Sequence, residues 1–359
     1  MRFVEVVPNV SEGRRTDVVD RIAAALSGTP GVHLLDRTSD ASHNRSVLTL
    51  AGSPDAACEA LDRMVGVAIA EIDMERQSGE HPRIGAVDVI PFVPLGETTL
   101  AECVALARAF GAHLAERHGL PVYLYAEAAT RPDRVKLADV RRGQYEGLKA
   151  EIAEPDRRPD FGPARMHPTA GAVAVGARPF LIAWNINLDS NDLELAKRIA
   201  RRVRESGGGL PKVQANGFWI EELGRAQVSM NLLDFSVTPI WRVWEAVQAE
   251  AAAEGVELAE SELIGLAPLA ALLDVAAHAE GRPHVEARPH GDAHPAAPGR
   301  PADDTTVEDR LADAARYIRL RDFSPLQALE LRLAAAESAA GNSTAADPAR
   351  SRPVPDRTA

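Results

Sequence analysis

The order in which apolar periodicity changes along the chain constrains the fold most. Residues 2–7 alternate and are β-branched, the pattern of a half-buried strand that Pro8 and Asn9 bring to an end. Residues 16–26 switch to helical spacing, with Val18, Val19, Ile22, Ala23 and Leu26 on one face. Strand patterns return at 32–36 and 46–51, a long helix follows at 54–75, and 86–93 alternates again, with Pro91 pointing to an edge or a strand end. A helix at 100–117 and a strand at 122–125 complete a βαββαβαβ order. An α/β (α+β) fold follows, a sheet with helices packed on it.

A polar, proline-rich stretch at 154–168 precedes a second series: strand 180–186, helix 193–205, strands 212–223 and 226–235, and helices 239–254 and 268–278. The expected organisation is an N-terminal subdomain (1–177), a second α/β subdomain (178–280), a linker (281–305), a helix pair (306–340) and a disordered tail (341–359). The linker is rich in Pro, Gly, Ala, His and Asp and nearly free of large apolar residues, so it cannot bury enough surface to offset its ordering entropy. The irregular spacing of its His284, His290 and His294 fits incidental composition better than a metal site.

A length of 359 residues fits two ordinary domains. Apolar residues at 45% allow a sizeable core, and aromatics at only 4% make it aliphatic and alanine-rich. A net charge of -12 weighs against nucleic acid or an anionic membrane as the main partner, though not against a local basic pocket. No apolar run reaches the roughly 18 residues that span a bilayer, and the N-terminus lacks an apolar signal core, so a cytoplasmic location is expected. Cys58 and Cys103 read as reduced helix residues, since two isolated thiols make neither a disulfide framework nor a metal site.

Four segments concentrate polar chemistry. SGEHPRIG at 78–85 lies between a helix and a strand; Pro82 pushes His81 out of the helical region, and glycines bracket the turn. A histidine held there beside Glu80 and Arg83 is placed for proton transfer near neutrality, although a solvated loop histidine has the same spacing. VPNVSEG at 7–13 is a strand-to-helix turn carrying Asn9, Ser11 and Glu12, readable as an anion site or as Ser11 capping the helix. DRTSDASHNR at 36–45 places Asp40, His43, Asn44 and Arg45 in one loop. FGPARMHPTAGAVAVG at 161–176 is small enough for a flat ligand to approach the backbone. GGGLPK at 207–212 lacks the Lys-Ser/Thr pair of a phosphate loop, and HExxH, CxxC and GxSxG are absent, so protease, zinc-module and serine-hydrolase chemistry find no support.

Together these stretches resemble the glutamate formiminotransferases, the N-terminal domain of the bifunctional formiminotransferase-cyclodeaminases. The resemblance rests on VPNVSEG (7–13), GEHPRIGAVDVIPF (79–92), PVYLYAEAA (121–129), PDFGP (159–163), GARPFLIAWNINL (176–188), KVQANGF (212–218), AQVSMNLLDF (226–235) and ELIGLAPLAALLD (262–274), in the family's order. It implies two similar subdomains, each a mixed sheet with packed helices, a folate tunnel between them, and a homodimer. It implies transfer of a formimino group from N-formiminoglutamate to the 5-position nitrogen of tetrahydrofolate, with His81 as the acid/base and no metal or redox cofactor. The folate-binding loop falls on 162–171, with Gly162, Pro163 and Gly171. Asn9, Asn44, Lys212 and Gln214 join the expected binding set. Because both substrates carry carboxylates, Arg45, Arg83 and Lys212 are expected anion contacts.

The departures are local. Thr38 stands where animal members carry an acidic helper, and Asp40, two residues on, is the expected substitute. HNRS at 43–46 and the Met166-His167-Pro168 run also differ from the family pattern. With no cyclodeaminase domain expected after residue 280, the product would pass to a separate protein. The alternatives left by the sequence are formyl transfer from N-formylglutamate, through the same His81, and a folate-binding protein without catalysis.

Overall fold

The computed structural model describes residues 2–281 and 306–345. Its first half runs β1 (Arg2–Val6), β2 (Asn9–Val10), α1 (Thr16–Ser27), β3 (Val32–Asp40), β4 (Arg45–Gly52), α2 (Pro54–Glu71), β5 (Val87–Gly96), α3 (Leu100–His118), β6 (Val122–Ala126), α4 (Leu137–Val140), α5 (Gln144–Glu151) and β7 (Val173–Ala177). The second half runs β8 (Ile182–Leu188), α6 (Leu193–Val203), β9 (Val213–Ile220), β10 (Arg225–Leu232), α7 (Ile240–Ala253), β11 (Leu258–Ile264) and α8 (Leu269–Ala279), followed by α9 (Val307–Tyr317) and α10 (Leu329–Ala345). The chain is thus a mixed α/β protein with two sheets. The expected linker lies almost wholly outside the described residues; α10 continues five residues into the expected tail, and the rest of the tail is also outside them.

The first sheet has the order β1-β4-β2-β5-β7-β6, with β3 added on β4. The helices form where spacing and caps agree. In α1, Val18, Val19, Ile22, Ala23 and Leu26 are buried on one stripe. The Ser53 side chain caps α2, and a Thr99–Glu102 capping box opens α3, which stops at left-handed Gly119. These helices pack on one face of the sheet around Ile22, Leu50, Leu61, Met64, Phe92 and Leu114.

β5 is central, not an edge as Pro91 had indicated: it pairs with β1 and β2 on one side and β7 on the other. The missing N–H of Pro91 is tolerated because the opposing strand breaks at the same height, β1 ending at Val6 and β2 starting at Asn9. β7 falls where the sequence reading assigned no element. Its Val173 and Val175 enter the helix-side core, while Gly176 leaves room on the other face for the Tyr125 ring.

The second sheet, β11-β8-β10-β9, is antiparallel throughout, where a mixed sheet was expected. One face carries Trp184, Ile186, Val228 and Met230 into a core with α6, α7 and α8. The strand register places Asn185, Asn187, Gln227, Ser229, Asn231 and Gln214 on the other face. Leu35, Ala51, Val93 and Leu95 of the first subdomain join the second core, so the subdomains share apolar contact. Leu311, Ala314, Ile318, Leu329 and Leu333 of α9–α10 and their connection belong to the same core. Backbone bonds from Ser261 N–H to the Arg319 carbonyl (2.8 Å) and from Leu329 N–H to the Ala267 carbonyl (2.8 Å) fix that segment. Among the described residues no helix is long and apolar enough to cross a membrane, and no group of three or more His, Cys, Asp or Glu is placed to hold a metal ion.

Candidate active site

The segment between α2 and β5 forms a loop held from three sides. Met74 N–H donates to the Thr169 carbonyl at 2.7 Å. Asn44 accepts from Gly13 N–H at 3.0 Å and donates through Nδ2 to the Ser78 carbonyl at 2.9 Å. Ser11 Oγ donates to the Gly85 carbonyl at 2.7 Å, so it ties the first turn to the loop and does not cap α1. The Glu12 carboxylate takes the N–H groups of Arg14 and Arg15 instead, occupying the helix start considered as an anion site. Gly79 passes against the backbone of His43 and Gly85 against Ala172, too close for any side chain.

Arg83 is a strut. Its guanidinium forks onto Glu146 (2.8 and 3.0 Å) and also bonds Gln144, the Gln77 side chain and the Gln77 carbonyl. Every donor is engaged within the chain, and these bonds anchor the loop to α5.

On this support His81 is largely enclosed, its side chain 15% exposed. Its Nε2 lies 3.8 Å from Oδ2 of Asp88, whose side chain is 2% exposed. Asp88 Oδ1 accepts the Ile84 N–H at 2.8 Å, and Arg141, at the end of α4, donates to Oδ2. Arg45, at the start of β4, donates to Oδ1 of the buried Asn9, whose amide donates to the Val7 carbonyl at 2.8 Å. The buried Nε2 of His81, Nε of Arg45 and Nε of Arg141 have no hydrogen-bond partner among the described residues. The two incompletely paired guanidinium groups suit a ligand that brings acceptors.

Burial first, then the positive fields of Arg45, Arg141, His43 and Arg83, push the His81 imidazole down to about 3, so it is neutral at pH 7. Burial, with repulsion from Arg141, brings Arg45 down to about 10, where it is still a cation. The site therefore offers a neutral imidazole beside two guanidinium groups and a fixed carboxylate. Such a site can receive a carboxylate substrate and move a proton at a reacting nitrogen.

The expected site residues divide accordingly. Asn9, Arg45 and His81 converge, with Asn44 and Arg83 as struts around them. Gly171, with φ +72°, packs on Ile84 and Gly85 at the base of the loop. Gly162, with φ +84°, packs on the Leu120 carbonyl at the other end of the glycine-rich loop, followed by half-buried Pro163. Within that loop His167 Nδ1 accepts the Ala170 N–H at 3.0 Å. Lys212 and Gln214 are exposed on the second sheet and make no side-chain hydrogen bond or ion pair with the first subdomain among the described residues.

Asp40 is corrected. Pairing with β4 extends β3 through Thr38 to Asp40, and the Asp40 carboxylate bonds His43 through its N–H (2.8 Å) and Nδ1 (2.9 Å). The carboxylate facing His81 is that of Asp88. Its one sequence signal was a charged residue inside the otherwise apolar run AVDVIPF, since a buried carboxylate needs partners. Arg141 gave no signal. Cavities of about 350 and 330 Å³ lie beside this arrangement without including His81, one behind α4 against Arg134, Arg142 and Arg157, the other behind the loop against Arg14, Asn44 and Gln77.

The chain matches two family descriptions: "Formiminotransferase domain, N-terminal subdomain" over residues 3–178 and "Formiminotransferase domain" over residues 183–284. It is 46% identical over 270 residues to a glutamate formimidoyltransferase of Streptococcus pyogenes serotype M1, covering 75% of this chain and 90% of the relative. It is 48% identical over 270 residues to one of Thermoplasma acidophilum, covering 75% and 89%. A formimidoyltransferase-cyclodeaminase of Mus musculus is 47% identical over 276 residues, 75% of this chain and 51% of that protein.

Proposed function

This chain belongs to the formiminotransferase family, and from that premise we propose that it carries a formimino group from N-formimino-L-glutamate to the 5-position nitrogen of tetrahydrofolate, with His81 as general acid/base. The products are 5-formiminotetrahydrofolate and L-glutamate, and the setting is histidine breakdown. Tetrahydrofolate is a co-substrate. The observation that carries the assignment is a neutral, largely enclosed imidazole next to two incompletely paired guanidinium groups.

The chemistry follows from these groups. The folate nitrogen adds to the formimino carbon, its N–H proton passes to His81, and the tetrahedral adduct then expels the glutamate nitrogen, which takes that proton back from His81. Bonds and protons balance without an outside acid. A positioned acid/base of this kind contributes about 10²–10⁴-fold. Arg45 and Arg141 depress His81 in the free enzyme; a substrate carboxylate held between them offsets that field and raises the basicity of His81 only when substrate is bound. Holding the two substrates together supplies a further share of the rate. Asn9, through Arg45, and the glycine-rich loop from Gly162 through Pro163 to Gly171 complete the binding set, with folate running from that loop toward the polar face bearing Gln214 and toward Lys212.

In this reading the enzyme works in the cytoplasm as a homodimer, and a separate cyclodeaminase consumes the formimino product. The decisive experiment measures turnover of tetrahydrofolate with formiminoglutamate, and with formylglutamate in parallel, for the wild type and His81→Ala. The expected result is turnover with formiminoglutamate, lost by about 10²-fold or more in His81→Ala while folate binding persists. Wild-type turnover only with formylglutamate, or unimpaired turnover in His81→Ala, overturns the assignment.

A further inference from the structure

The two nitrogens of His81 are not equivalent. Nε2 is buried, has no hydrogen-bond partner among the described residues and faces Asp88 Oδ2 at 3.8 Å, while the side chain as a whole keeps 15% of its surface exposed. We propose that Asp88 is a positioning residue that holds the Nε2–H tautomer of His81, so that Nδ1 is the atom that takes and returns the proton, with Arg141 acting as the clamp on Asp88. This deepens the reading above and rests on it for the catalytic readout.

The carboxylate is fixed before the histidine reaches it. Ile84 N–H holds Oδ1 at 2.8 Å, Arg141 holds Oδ2, and the side chain is almost wholly buried. Asp88 therefore cannot swing away, and the ring has about 1 Å to travel to reach normal hydrogen-bond length. Catalytic hydrogen bonds that are long in the free enzyme commonly tighten when substrate binds. A carboxylate on the far nitrogen selects the tautomer and stabilises the imidazolium formed while the proton is held. The remaining acidic candidate, Asp40, is engaged by His43.

The test combines a mutant cycle with a spectroscopic measurement on the wild-type chain. Asp88→Asn keeps an acceptor for the Ile84 N–H but can present an amide N–H to Nε2, inverting the tautomer. The expected result is a fall in kcat of about 10²-fold or more with KM changed far less, and no further loss when the same substitution is made in His81→Ala. Nitrogen-15 NMR of histidine-labelled wild type should show Nε2 protonated and Nδ1 bare at pH 7. A protonated Nδ1 in the wild type, unchanged kcat in Asp88→Asn, or an equal loss in both backgrounds would overturn the proposal. The NMR arm decides the tautomer even if formiminoglutamate proves not to be the donor.

Discussion

Asn44 donates to the Ser78 carbonyl across 2.9 Å and 34 residues of sequence, and through that one bond the β3–β4 turn grips the loop that carries His81. Its own backbone, at φ +50°, is left-handed, a conformation asparagine tolerates better than alanine. Asn44→Ala removes this bond and the one from Gly13 N–H, both at buried or half-buried groups. Urea unfolding should show a loss of about 1–3 kcal/mol, and kcat should fall as the loop loses its register. A variant with wild-type stability and turnover would show that the loop holds itself.

Arg45 supplies the second-largest influence lowering His81, after burial. Removing its charge in Arg45→Gln should therefore raise the His81 pKa from about 3 toward its ordinary value. In kcat/KM, which reports the free enzyme, the acid limb of the pH profile should move to higher pH. The KM for the carboxylate donor should rise at the same time, because a guanidinium contact is lost. A pH profile whose acid limb does not move would separate Arg45 from His81.

Glu5 lies buried in β1, and burial pushes its carboxyl up to about 8; Arg178 opposes the shift and Glu330 adds to it. The folded chain thus holds a proton that the unfolded chain releases near 4.5. That contribution to stability is fully present below about 4.5 and is lost as pH rises through 8. Glu5→Gln, which mimics the protonated acid, should leave the melting temperature near pH 4.5 little changed and raise it by a few degrees at pH 8. Equal effects at the two pH values in calorimetry would mean that Glu5 is ionised in the folded chain.

Leu329, at the start of α10, is 1% exposed within the second core, although it lies beyond the residues matched to the family. Leu329→Ala should cost about 2–5 kcal/mol and lower the melting temperature of the whole chain. A cost below about 0.5 kcal/mol, the range of surface substitutions, would show that α10 is not part of the cooperative fold.

Much of the architecture was legible because it is written in local periodicity. The helix stripe from Val18 to Leu26 and the alternation of 2–7 need no distant partner to be recognised. β7 was hidden because its alternate positions are alanine and glycine, which only the Tyr125 ring packed over Gly176 explains. The centrality of β5 was hidden too: Pro91 reads as an edge signal unless the break between Val6 and Asn9 is known to lie opposite it.

The sequence by itself determined the α/β order and the turn that presents His81, since Pro82 and the flanking glycines act on their own backbone. Only the tertiary structure decided which side chains work with it. Arg83, two residues from His81, proved a strut because Glu146 meets it from α5. Asp40 went to His43 because β3 and β4 pair to their very ends, and the carboxylate at His81 came from Asp88 on the following strand. Charge and hydrogen-bond partners are set by distances of a few ångströms across the packed fold, and no local pattern in the chain encodes those distances.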